Sequence, residues 1–358
     1  MKVGIVGLPN AGKSTLFNAL TQGGAETAGY AFTTIDPNVA IAPVPDERLA
    51  EVAGVARSNR LVPATIEFHD IAGLVRGASA GEGLGNQFLA AIRETDAICH
   101  VVRAHSDSRV PHPEGSVDPA SDVETIEAEL LLADLEQAER RLERVTKQAR
   151  SLDPEAVAER EWLERVIDAL QRGVPVRSVP VPNAAGAADR RLGALTSKPV
   201  LFAANVDESD AEVPGAIAPM AAERGATAVA VSARIESELA ELDPEEAAAM
   251  RDDLGLPAEP GLNRLVRAAY ELLGLITFFT AGPDVEANAR SIPRGWTAWQ
   301  AAGRIHGEIQ QAFIRAEVVG WRDLVAAGGY APARDRGLLR TEGRDYVVAD
   351  GDVITIKV

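Results

Sequence analysis

One cysteine in 358 residues leaves no material for a disulfide framework. That residue, Cys99, sits inside an apolar, strand-like run and reads as a small core side chain rather than a nucleophile. No apolar run approaches the roughly 20 residues of a membrane-spanning helix. The first apolar run is only strand-length and ends in Gly-Leu-Pro-Asn, so a secretory leader is not expected and a reduced, soluble, cytoplasmic setting is. Positive charge is also short: 36 Lys and Arg stand against 53 Asp and Glu, a net charge of −17. This excludes a protein whose whole surface grips nucleic acid and leaves room only for a local basic face. The length and the 46% hydrophobic content support two or three domains with real cores.

What is present is concentrated at the start. Residues 2–7 read as a buried strand built on Val3, Ile5 and Val6. Gly7 to Ser14 then spell G-x-x-x-x-G-K-S, a loop whose glycines let backbone N–H groups converge on phosphate oxygens. In that pattern Asn10, Ala11, Gly12, Lys13, Ser14 and Thr15 surround the phosphates. Lys13 supplies a point charge and the Ser14 hydroxyl a ligand for Mg²⁺. A helix is expected from Thr15 to Thr21.

Strands are expected at Val39–Val44, Thr65–His69, Ala97–Val102, Pro199–Asn205 and Thr227–Ala233, and helices at Glu47–Arg57, Asn86–Glu94 and Leu262–Leu275. This alternation is that of an α/β doubly wound sheet. It is interrupted after about residue 105 by a polar, Pro-containing loop and then by a long helix. Leu131, Leu135, Ala138, Leu142, Val145 and Ala149 follow heptad spacing along that helix, with Glu and Arg on the other faces. Asp153-Pro154 opens a second helix with Leu163, Val166, Ile167 and Leu170 on its apolar side, giving an antiparallel hairpin. It reads equally as a projecting docking arm and as plain structural packing. From about Ile276 short strands (Ile276–Thr280, Asp345–Val348, Val353–Val358) surround a helix at Thr297–Phe313, a small α+β module.

Around the phosphate loop, Asp70-Ile-Ala-Gly73 follows a strand at the place where a carboxylate holds Mg²⁺ through water and Gly73 presents its N–H to the γ-phosphate. Thr34 lies between the two motifs, placed to close on the metal as a switch threonine, with Thr33 as the competing choice. Leu74 takes the position where many GTPases carry a water-orienting glutamine. Asn205-Val-Asp-Glu208 takes the place of N-K-x-D, with Val206 for the stacking lysine and Glu208 for the aspartate that forks onto guanine. Asn205 remains able to bond a purine edge, and strict guanine recognition is not expected.

GLPNAGKST, YAFTTIDPN, DIAGLVRGASAGEGLGNQFLAAIRE, NVDE and RTEGRDYVVADGDV together resemble the YchF/Obg-like ATPases, in the Obg branch of the TRAFAC P-loop GTPases. The resemblance runs over nearly the whole chain. It implies a nucleotide-binding domain in two parts (1–118 and 198–275), an inserted coiled-coil arm (119–197) and a C-terminal TGS domain of β-grasp type (276–358). It also implies preference for ATP over GTP and association with ribosomes, with RNA or translation factors as further candidate partners and no membrane. Carried onto this chain, Asn205, Val206 and Glu208 flank the base, and Ser232 and Ala233 form the last nucleotide-binding loop. Lys13, Thr34, Gly73 and a mobile-loop histidine, His112, serve hydrolysis; Ser14, Thr34 and Asp70 hold Mg²⁺. Asn10 matches the asparagine that places K⁺ in potassium-stimulated relatives. Many members have cysteine where this chain has Thr33, a departure that leaves redox control through that thiol an open question. The competing functions are an Obg-type GTPase and a nucleotide-gated RNA- or protein-binding scaffold with little turnover.

Overall fold

The computed structural model describes residues 1–28, 38–71, 84–107, 109–113, 115–149, 153–208, 210 and 212–358. Five strands come from the first 103 residues: β1 (Lys2–Val6), β2 (Val39–Pro43), β3 (Arg60–Val62), β4 (Thr65–Asp70) and β5 (Ala97–Arg103). Two more, β6 (Val200–Asn205) and β7 (Thr227–Val231), follow the arm. The first sheet has the order β2-β4-β1-β5-β6-β7. The pairings β1–β5, β5–β6 and β6–β7 are parallel, which places the C-terminal ends of those four strands along one edge. Ligands of open α/β sheets bind outside that edge. β5 is buried at all seven residues, as a central parallel strand must be. Helices α1 (Lys13–Ala28), α2 (Arg48–Ala56) and α3 (Leu84–Arg93) fall where the apolar spacing puts them, with α1 starting two residues earlier and running seven further than expected.

The hairpin is formed by α4 (Pro119–Ala149) and α5 (Pro154–Gln171). Along the heptad seam Ala138, Val145 and Ala149 are buried, and Leu131, Leu135 and Leu142 pack against the same cluster. α5 contributes Leu163, Val166 and Leu170 together with Trp162, which is 0% exposed and donates its indole N–H to the Val179 carbonyl, 3.3 Å. Asp153 caps α5 by accepting from the Glu155 N–H, with Pro154 at the first helical position.

The chain divides into two compact units, and residues 41–67 belong with 266–358. The second sheet, order β11-β10-β12-β8-β9-β3, is built from β8 (Leu275–Thr280), β9 (Glu286–Pro293), β10 (Arg315–Gly320), β11 (Arg340–Glu342) and β12 (Asp352–Lys357), with β3 on its edge. β3 pairs parallel with β9, Arg60 opposite Glu286. Within this unit Arg48 of α2 bonds Asp46 and Asp350 at 2.7–2.8 Å, and Asp350 accepts the Thr277 N–H, 2.9 Å. Two expectations for this region are corrected. The single helix 297–313 is two helices, Ala298–Ile305 and Gly307–Gln311, because His306 turns to an extended φ of −162° and caps the second through Nδ1. Asp345–Val348 forms no strand, only a bridge from Val347 to Thr297.

Candidate nucleotide site

β1 drives Val3, Ile5 and Val6 into the core and delivers the chain to Gly7, where a Cβ would lie 2.4 Å from the Val101 carbonyl oxygen. Asn10 adopts a left-handed φ of 64°, which asparagine tolerates better than most residues. At Gly12 φ is 99°, and a Cβ would sit 2.2 Å from Asn205 Nδ2. The loop therefore needs glycine at both ends of its turn. α1 then starts, Leu16 donating to the Gly12 carbonyl at 2.9 Å, with its N-terminal N–H groups and dipole favouring an anion.

A cavity of about 890 Å³ opens beside this turn, a volume within the ~300–1,000 Å³ range of small-molecule sites. Asn10, Gly12, Lys13, Ser14 and Thr15 line it from the loop, and Asn205, Val206, Glu208, Ser232 and Ala233 from the ends of β6 and β7. Lys13 is 8% exposed and its ammonium donates to the Leu8 carbonyl, 2.8 Å. Burial lowers its pKa, and the nearby Asp70 carboxylate opposes the shift; Asp70 is raised by its own burial, with Lys13 opposing. These two groups thus feel each other's charge at the phosphate end.

Asn205 acts as a bolt. Its Nδ2 donates to the Ala11 carbonyl and its Oδ1 accepts the Ala233 N–H, both at 3.0 Å, so the amide read as a purine-edge reader is engaged by protein on both atoms. Val206 is 3% exposed and packs into the core with Val102 and Phe202. Glu208 is half-exposed at the mouth, 3.4 Å from Arg234 Nε. His112 is not among the cavity-lining residues: its side chain is 4% exposed and Nε2 lies 3.0 Å from Asp122 Oδ2 in the first turn of α4. Thr34, Gly73 and the neighbouring Thr33 and Leu74 lie outside the described residues.

Sequence reading missed the loop that walls the cavity. Ser106, Asp107 and Arg109 line it, as does Arg234. Asp107 accepts two bonds from the Arg109 guanidinium, at 2.8 and 3.0 Å, and one from its backbone N–H, at 3.0 Å, and those bonds keep the Asp107 carboxyl below its usual range. The loop is fastened by Arg103, whose Nη2 donates to the Asp107 carbonyl at 2.8 Å, and at two further points. Asn10 Nδ2 donates to the Pro111 carbonyl, 3.0 Å, and the Ser106 N–H donates to Asp207 Oδ2, 3.0 Å. The Asp-x-Arg spacing at 107–109 was the available signal, since an aspartate two residues before a donor is an Asx-turn pattern.

Residues 2–147 match the family model MMR_HSR1, described as "50S ribosome-binding GTPase", and residues 275–358 match YchF-GTPase_C, described as "Protein of unknown function (DUF933)". A Bacillus subtilis protein named ribosome-binding ATPase YchF is 49% identical over 99% of this chain and 98% of its own. The chain belongs to the YchF family. The relative of the same name from Escherichia coli O157:H7 is 48% identical with the same coverage. The structure of the Schizosaccharomyces pombe YchF GTPase superposes with a TM-score of 0.88 at 35% identity, covering 100% of this chain and 97% of that one. A P-loop, GTPase-type α/β domain with a C-terminal YchF domain is therefore the architecture, and nucleotide hydrolysis is the activity class. The described helices include none long and apolar enough to cross a membrane.

Proposed function

We propose that the chain is an ATP-preferring hydrolase that works as a conformational switch on ribosomes in the cytoplasm. The observation that carries the base preference is the state of the 205–208 loop. Asp207 is turned to the Ser106 N–H, Glu208 sits at the mouth beside Arg234, and Val206 is packed into the core. None of the three offers the carboxylate fork and covering lysine stem that a guanine requires, whereas an adenine needs neither. Ribosome association rests on the names of the relatives.

In this reading the α1 N-terminus, the loop N–H groups and Lys13 bind and polarise the phosphates, Lys13 exchanging its bond to Leu8 for a phosphate oxygen. The Ser14 hydroxyl and the Asp70 carboxylate would hold Mg²⁺, an ion that uses one or two protein oxygens in sites of this kind. A metal held by these residues would supply charge neutralisation at the phosphates. Thr34 joins this set and Gly73 donates to the γ-phosphate. His112 acts on the water once its loop leaves Asp122, and Asn10 is the K⁺ ligand. The four-part division with a TGS domain belongs to the same proposal, except that residues 41–67 fall in the compact unit of 266–358.

Steady-state hydrolysis by the purified protein with Mg²⁺ tests it. Turnover at matched concentrations should be faster with ATP than with GTP, and a GTP preference would overturn the base argument. Co-sedimentation with ribosomes should depend on which nucleotide is bound; pelleting indifferent to nucleotide would make the protein a scaffold.

A further inference from the structure

A second cavity, of about 230 Å³, lies at the root of the arm. Its floor follows from strand periodicity: Ile98 and His100 of β5 and Val200 and Phe202 of β6 point to one face of the sheet. α4 covers that face with Ile126, Leu130 and Leu131, which lie at helical spacing. The rim is polar. Arg224 Nε meets both oxygens of Glu127 at 2.8–2.9 Å, Arg177 donates to the Thr196 carbonyl at 3.3 Å, and Glu223 and Ser178 are exposed.

His100 is the odd group in this floor. It is 3% exposed, its ring stacks obliquely on Phe202 with centroids 5.6 Å apart, and its Nε2 is buried with no hydrogen-bond partner among the described residues. A buried nitrogen of this kind carries a cost that a ligand can remove. Burial, with the charge of Lys13 adding to it, holds the ring neutral with a pKa near 3. Two arginines and two glutamates balance at the rim. Neither end of the cavity therefore compensates an ionic ligand. The volume exceeds the roughly 150 Å³ that takes a benzene and falls short of a drug-sized pocket. Water needs two to four polar partners to be well held, and the floor supplies one.

We propose that this cavity binds an uncharged aromatic molecule of one or two rings carrying a single hydrogen-bonding group, an indole or phenol, with that group against His100 Nε2. The occupant would wedge between α4 and the two strands whose ends carry Arg103 and Asn205, so it sits between the arm and the nucleotide cavity without entering the latter.

Titration calorimetry of the full-length protein with indole tests this. One-site binding with a Kd of about 1 mM or tighter is expected, both in the free protein and in protein saturated with ADP. Filling the cavity by Leu131→Trp or Val200→Phe should weaken indole at least about tenfold in variants whose melting transition shows them folded. His100→Phe should weaken indole about tenfold and leave toluene unchanged. No saturable binding to the wild-type protein, displacement by ADP, or undiminished binding in a folded filling variant would overturn the site. Amide-resonance shifts of the wild-type protein on adding indole should centre on residues 98–100, 126–131 and 200–202, and shifts centred elsewhere would overturn it even if both filling variants fail to fold.

Discussion

The nucleotide cavity and the arm both bury charged groups, and they use them in opposite ways. In the arm the buried carboxylates Asp134 and Glu159 are spent on the fold. Asp134, 0% exposed, accepts the Leu195 and Thr196 N–H groups and the Thr196 hydroxyl at 2.7–2.8 Å, tying the segment that returns to β6 onto α4. Glu159, 4% exposed, takes Arg141 and Arg191 at 2.8 and 2.9 Å. At the cavity Lys13 reaches a single carbonyl of its own loop, and Ser14 and Thr15 are exposed. A buried charge that is fully bonded specifies structure; one held next to a cavity is available for exchange with a ligand.

Three experiments break or sharpen that contrast. The largest effect is expected at Lys13→Ala, which should lower nucleotide turnover about 10³-fold, as loss of a preorganised charge at a transition state does. Its melting temperature should stay close to wild type; a large loss of stability would mean that Lys13 is structural like Asp134. Next, Asp134→Ala should cost about 3 kcal/mol in denaturant unfolding by stranding three buried donors, with turnover of the folded fraction preserved. Loss of turnover without loss of stability would reverse the assignment.

The smallest effect concerns pH. His100 has a folded pKa of about 3, against 6.5 ordinarily. Below pH 6.5 the unfolded chain takes up a proton that the folded chain refuses, so this contribution is complete above pH 6.5 and shrinks as pH falls toward 3. At pH 5 the loss is about 2 kcal/mol. Asp70 and Asp134, raised by burial, tilt the opposite way at lower pH, so the informative quantity is wild type minus His100→Phe between pH 5 and 7. A flat difference would place His100 in a wetter setting than the structure gives it.

Legibility in the sequence followed the same contrast. The phosphate-loop pattern could be read because it is contiguous: Gly7, Gly12, Lys13 and Ser14 fall within eight residues, and the last three line the cavity. The arm could be read because heptad spacing is a local property of one helix. Asn205 could be placed at the site, yet its engagement by Ala11 and Ala233 depends on contacts 194 and 28 residues away. The wall at 105–110 carries no periodicity, and its role arises from where Asn10 and Asp207 hold it. β9 and β10 were missed for a related reason. Ser291 stands in β9 where alternation after Ala287 and Ala289 calls for an apolar residue, and Val319 follows Val318 in β10 where it calls for a polar one, while a three-residue strand such as β3 gives no pattern at all.

That short strand has a consequence for synthesis. Residues 41–67 emerge early, but the partner of β3 is made much later: Arg60 and Glu286, which form an ion pair, are 226 positions apart. At roughly 5–20 residues per second the segment waits some ten to fifty seconds for its sheet. During that interval the edge formed by Arg60, Leu61 and Val62 has no β9 to pair with, and a chain stopped before residue 286 never acquires it. A truncation that looks like a clean removal of the C-terminal module would therefore strand a piece of the N-terminal third, and nascent chains ending in that window should be more sensitive to proteolysis between 41 and 67 than completed ones.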